Sequence, residues 1–213
     1  MNYADRPCNW ELFAIILAGL LHVVTELAFS ETAAMSYNAV ISVVFGGYLI
    51  WRVRQSGDAI RAWGMRTDNF WRALLAQGVF AAVSGTAIIG YGVATDASML
   101  PESFWLTLGL YPIWGIAQQF ALQSLIARNL EGLITRPMVL ALVAAALFAA
   151  SHYPRLELVA LTGIGGVFLT LIYRRIPNLW AAGIIHGVLG SLAFYLVLKE
   201  DPGAMIIGFF SGQ

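Results

Sequence analysis

Charge is what this 213-residue chain has least of. Asp, Glu, Lys and Arg make up 11% of it, against 59% hydrophobic residues and a mean hydropathy of +0.74. A soluble domain carries about 25% charged residues. A chain this poor in charge cannot clothe a water-facing surface, so a lipid bilayer must surround it. Its charges also cancel to a formal net of +0. With no basic face there is no nucleic-acid partner to expect. Cys8 is the single cysteine, which excludes an internal disulfide and says little about redox compartment.

What is present in quantity is apolar sequence in long runs. Segments able to cross a bilayer, about 17–25 residues each, read near 10–29, 33–51, 73–93, 104–126, 137–151, 158–173 and 179–198. The fifth and sixth are short. "DASMLPES", "TRP", "HYPR" and "RRIPN" separate runs as turn signals. The connections are too short to hold a soluble domain. The first run is no removable signal peptide, because Asp5 and Glu11 offset Arg6, and His22 and Glu26 interrupt its core. The expected fold is all-α: one polytopic membrane domain over 1–213 with about seven transmembrane helices.

Orientation follows from the arginines. Arg52, Arg54, Arg61, Arg66 and Arg72 crowd the second connection, Arg128 and Arg136 flank the fourth, and Arg174 and Arg175 occupy the sixth. The alternate connections hold Arg155 with the acids Glu31, Asp96, Glu102 and Glu157. This skew predicts an integral protein of a bacterial inner membrane, with the N terminus cytoplasmic and the C terminus extracytoplasmic. The tail "PGAMIIGFFSGQ" is too short to span again and is expected at the interface. Trp10, Trp51, Trp71 and Trp180 stand near expected helix ends, where tryptophans anchor.

Polar groups within such helices are costly and face the bundle interior. They are His22 and Glu26 in the first helix, Asn38 in the second and Gln77 in the third. The fourth carries Gln118, Gln119 and Gln123 in "GIAQQFALQSL", His152 ends the fifth, and His186 lies in the seventh. All three histidines are therefore within the membrane or at its edge. Pro112 is expected to kink the fourth helix and open space beside the glutamines. "GIGG" at 163–166 reads as a close helix contact.

"FAASH", from Phe148 to His152, fits a Phe-x-x-x-His motif, and "YRRIPNLWAAGIIHGVLGSLAF" resembles the last conserved helix of the CAAX protease and bacteriocin-processing (CPBP) family. "AWGMRTDNFWRALLAQG" is similar to the loop that leads into that family's core. The resemblance covers a CPBP-like core at 62–198. It implies an intramembrane peptidase site of Glu-Glu-x-x-x-Arg on one helix, Phe-x-x-x-His on the next, and His-x-x-x-Asn on a later one. Residue by residue, the glutamates fall on Gln118 and Gln119, the arginine on Gln123, the histidines on His152 and His186, and the asparagine on Gly190. In the family, the first glutamate and first histidine activate a water, and the second histidine and the asparagine stabilise the oxyanion.

Both histidines and Phe148 are retained here, and the other four groups are lost. A primary amide accepts a proton only far below neutral pH, so Gln118 is no general base. Gln119 and Gln123, at i and i+4, replace an ion pair by two amides expected to bond each other. The implied function is a non-peptidase relative that holds a hydrophobic partner (a membrane helix, a prenyl chain or a pigment-like lipid) in the former active-site cavity. That cavity would gather Gln118, His152 and His186. The alternative is an intramembrane hydrolase or other isoprenoid enzyme using His152 and His186, with Glu26 beside His22 supplying the carboxylate. A metal site of His22, His152 and His186 is a third class, but no close-spaced ligand pair supports it, and no metal or other cofactor is expected.

The orientation can be tested by labelling. In a Cys8→Ser background, Gln55→Cys and Gly132→Cys are expected to resist an impermeant thiol reagent applied to intact cells, while Ser98→Cys reacts. The reverse pattern would refute the arginine argument.

Overall fold

A computed structural model of the protein describes residues 8–55, 58–97 and 100–211. Asp5, Arg6 and Ser98, invoked above, lie outside the described residues. The order is α1 (Asn9–Ala28), α2 (Glu31–Gln55), α3 (Asp58–Ala62), α4 (Phe70–Ala94) and α5 (Ser103–Gln119), then a π-helical stretch, π1 (Phe120–Ala127). There follow α6 (Arg128–Leu130), α7 (Pro137–Ala150), α8 (Leu156–Arg175), α9 (Leu179–Ala193), a second π-helical stretch, π2 (Phe194–Leu198), and α10 (Pro202–Ser211). Among the described residues there is no strand, and the chain is an all-α polytopic membrane protein.

Five helices are long and apolar enough to cross a bilayer: Asn9–Ala28, Thr32–Gln55, Phe70–Ala94, Leu156–Arg175 and Leu179–Leu198. The remaining two expected spans differ in form. Pro137–Ala150 is a shorter apolar helix. The fourth run is divided between α5 and π1, so its α-helical part is only 17 residues long. The tail is the helix α10.

The chain divides into two compact units, one of Met1–Thr67 with Phe120–Pro177, the other of Asp68–Gln119 with Asn178–Gln213. In the first, the core joins Leu12 of α1, Leu122, Ile126 and Ala127 of π1, and Leu140, Ala144 and Phe148 of α7. Gly166 of α8 meets Ala145, where an added Cβ would stand 3.0 Å from the alanine Cβ. That is the close α7–α8 contact the GIGG tract implied. Trp63, 1% exposed, sits edge-on to Phe120 at 5.3 Å, and its carbonyl accepts from Tyr173 OH at 2.9 Å and Ser124 Oγ at 3.2 Å. A tryptophan placed this way is a core plug, unlike Trp10, Trp51 and Trp71, which are all about half-exposed or more.

The first unit also buries a carboxylate. Glu11 is 2% exposed and accepts from Asn129 Nδ2 at 2.9 Å and from Tyr48 OH, with Arg52 Nε 3.6 Å away. Asn129 Oδ1 in turn accepts the Cys8 N–H at 2.7 Å, tying the start of α1 to α6. Sequence reading used Glu11 only as a counter-charge to Arg6. The structure makes it the polar tie of α1, α2 and α6.

In the second unit, α9 packs along both α4 and α5. Its start is set by "IPN": the Asn178 side chain accepts the Ala181 N–H at 2.9 Å and donates to Asn69 Oδ1 at 2.8 Å. The end of π2 is fixed by Asp201. Burial works against its carboxylate, yet donors from Ser103 Oγ, the Ala204 N–H and Tyr195 OH outweigh that and hold its carboxyl below the usual range. Its stabilising effect is therefore complete above the ordinary carboxylate range and fades as pH falls through the lowered value.

Removing Glu11 leaves the half-buried Arg52 without its counter-charge and the Asn129 amide without one of its acceptors. Glu11→Ala is expected to destabilise the protein by about 3–5 kcal/mol in detergent melts. Glu102→Ala, at an exposed position, should change stability by no more than about 0.5 kcal/mol. Equal, small effects at both positions would remove the tie from the account of stability.

Candidate functional site

Glycines on facing helices decide how close α5 and α9 come. Gly183 and Gly187 are four apart on α9 and bracket His186 as Gly-x-x-x-Gly. A Cβ added at Gly187 would stand 2.5 Å from Pro112 Cα, and one at Gly183 would stand 2.6 Å from Ile116 Cα. Gly115 faces the Gly183 carbonyl and the Gly187 backbone in return. Backbone meets backbone here, as small-residue pairs allow between membrane helices. Pro112 therefore opens no gap beside the glutamines, because α9 takes up that space. The irregularity of this run comes later, where π geometry begins at Phe120.

This approach brings the paired glutamines to one histidine. Gln118 Oε1 lies 2.6 Å from His186 Nε2, and Gln119 Nε2 lies 3.1 Å from His186 Nδ1. An amide oxygen only accepts and an amide nitrogen only donates. His186 is therefore the neutral Nε2–H tautomer, donating to Gln118 and accepting from Gln119. Gln119 is fully buried and Gln118 half-buried. Sequence reading paired Gln119 with Gln123 on the assumption of α-helix through both. The chain takes π geometry from Phe120, and sequence reading did not foresee the Gln119–His186 bond.

Gly190 stands one turn beyond His186. A Cβ there would stand 2.6 Å from Tyr111 Cε1 and 3.1 Å from Cδ1. The Tyr111 ring, edge-on to Phe194 at 5.4 Å, thus fills the room a longer side chain at 190 would need. No sequence signal singled out Tyr111. The Gly-x-x-x-Gly around His186 was a legible signal that sequence reading passed over.

The other expected site residues belong to the first unit. His152 Nδ1 lies 3.0 Å from the Phe148 carbonyl and its ring is edge-on to Phe148 at 5.0 Å. Since a carbonyl only accepts, Nδ1 carries the proton and Nε2 keeps its lone pair. His22 stacks on Tyr37 at 6.2 Å. Glu26 is exposed on the last turn of α1, and Gln123 is 2% exposed within π1. Among the described residues, no three His, Cys, Asp or Glu side chains gather as a metal site would require.

Residues 100–192 match a family model described as type II CAAX prenyl endopeptidase Rce1-like. That match supports the CAAX protease and bacteriocin-processing family. No curated protein and no solved structure matches the chain. The matched span holds every position carried over from the CPBP motifs, from Gln118 to Gly190, while the tract at 62–78 lies before it.

The glycine contact has a measurable consequence. Gly187→Ala should destabilise the protein by about 1–3 kcal/mol, the usual cost of overpacking. It should also erase the 15N signature of a neutral Nε2–H imidazole at His186. Gly165→Ala meets nothing within 4 Å and should be neutral or stabilising by up to about 1 kcal/mol. A Gly187→Ala protein that keeps both its melting point and the imidazole signature would contradict the backbone contact.

Proposed function

We propose that this chain is a CPBP-family membrane protein that has given up peptide cleavage and holds a hydrophobic partner at the former catalytic centre. The observation that carries the reading is the double tie of His186 to Gln118 and Gln119. In a peptidase of this family, the carboxylate aligned with Gln118 takes a proton from water. Gln118, a primary amide, cannot accept one near neutral pH, and its oxygen already accepts the Nε2–H of His186. The imidazole proton that would polarise a scissile carbonyl is thereby spent inside the protein. At 190 the oxyanion donor is absent and Tyr111 fills the room for one. Losing one such donor costs about 100- to 1,000-fold in rate, and losing the base adds to it.

An apolar occupant suits this set. Neither α5 nor α9 carries a formal charge, so a partner entering there meets neutral groups and hydrocarbon. We infer further that the protein sits in a bacterial inner membrane with its N terminus inside, as the arginine skew indicates.

Two measurements test the reading together. The protein purified in mild detergent should cleave prenylated CAAX-type peptides no faster than its His152→Ala variant. Mass spectrometry of the same preparation should find a stoichiometric lipid, pigment or membrane protein. Cleavage that depends on His152 would overturn the proposal and turn attention to Glu26, a turn beyond His22, as the carboxylate of a working enzyme.

A further inference from the structure

Gln77 is the buried polar group that the family motifs do not account for. It is fully buried in α4, and among the described residues neither its Nε2 nor its Oε1 has a hydrogen-bond partner. An amide buried without partners costs about 1–3 kcal/mol. A helix in lipid has easy alternatives, since leucine at the same place would cost nothing. The group therefore calls for a role.

Its position follows from the register of α4 on α9. Asn69 bonds Asn178 at 2.8 Å, Gly85 faces Leu189 and Leu192, and Gly92 faces Leu196. The two helices thus run in the same direction. Gln77 is midway between Asn69 and Gly85, which sets it level with about 182–186 on α9. The buried positions of α4 are Ala73, Gln77, Gly85, Ile88 and Gly92, spaced as one helical stripe. Gly85 meets α9 and Gly92 meets π2 just beyond it, so the stripe that carries Gln77 runs along α9, with Gln77 at the level of His186.

We propose that Gln77, with the Gln118–His186 pair at the same level, receives the uncharged hydroxyl end of a long-chain lipid. This rests on the reading that the former catalytic centre holds an apolar partner, and it names that partner's polar end. An amide with both atoms open offers an acceptor and donors, which a hydroxyl meets in full. A phosphate, carboxylate or ammonium end would arrive without a counter-charge: α5 and α9 hold none, and Arg72 of α4 stands at its first turn. An uncompensated charge at this depth is strongly disfavoured. Full burial of Gln77 means that a chain entering from the lipid parts α4 from α9 before its end reaches the amide.

The test uses the whole protein in nanodiscs and a diazirine-bearing hexadecanol as photoprobe. Hexadecanol, palmitate and hexadecylamine are the competitors, identical in chain and different in end group. Hexadecanol is expected to compete best. Gln77→Leu is expected to weaken probe binding about tenfold, as loss of one or two hydrogen bonds does, while its melting temperature holds or rises. Equal competition by all three, or unchanged binding in Gln77→Leu, overturns the assignment of Gln77 and leaves apolar occupancy standing. A lower melting temperature in Gln77→Leu also overturns it, since the amide would then have a structural partner. If the wild-type protein shows no saturable labelling while a protein partner co-purifies, the lipid is wrong and the occupied centre survives. If neither is found, both proposals fall.

Discussion

The second unit depends on the approach of α5 to α9 at Gly115, Gly183 and Gly187. Each of these glycines stands where a single added carbon would collide with the other helix's backbone. In lipid, helices gain little from hydrophobic burial, and close backbone packing supplies much of their association. Here it does a second thing. It brings α5 close enough for two adjacent glutamine side chains to reach opposite nitrogens of one imidazole on α9. A wider separation would break both bonds to the imidazole, so the packing and the chemistry of the centre are one constraint.

That centre is neutral at every position. Both side chains that hold His186 are amides, and the histidine needs only one proton to satisfy both. In a low-dielectric surrounding, a lone carboxylate or guanidinium is far more costly than an amide. The Tyr111 ring against Gly190 adds hydrocarbon one turn beyond the histidine.

The first unit pairs charge at two places. Glu11 has Arg52, Tyr48 and Asn129 around it, and Glu131 pairs with Arg174. Trp63, which ordinary reading would place at the membrane surface with its fellows, instead closes the gap between π1 and α8 through its carbonyl as well as its ring. Both arrangements join segments far apart in sequence, which is why no local pattern announced them.

The sequence by itself determined that the protein is helical and lives in a bilayer, since 59% hydrophobic residues with 11% charge leave no other solvent for it. Residue identity at fixed spacing, which needs no coordinates, also carried the resemblance to the CPBP family that the match at 100–192 supports. Helix limits followed closely from apolar run length and from prolines such as Pro137 and Pro177. Tertiary structure alone decided the partners. Whether Gln119 bonds His186, whether Pro112 makes a gap or a contact, and whether Gly190 borders open space or a ring all depend on which faces of α5 and α9 meet. The same holds for the change to π geometry at Phe120. Hydrogen bonds between residues 67 or 68 apart are fixed by packing between helices, and composition and periodicity carry no record of it.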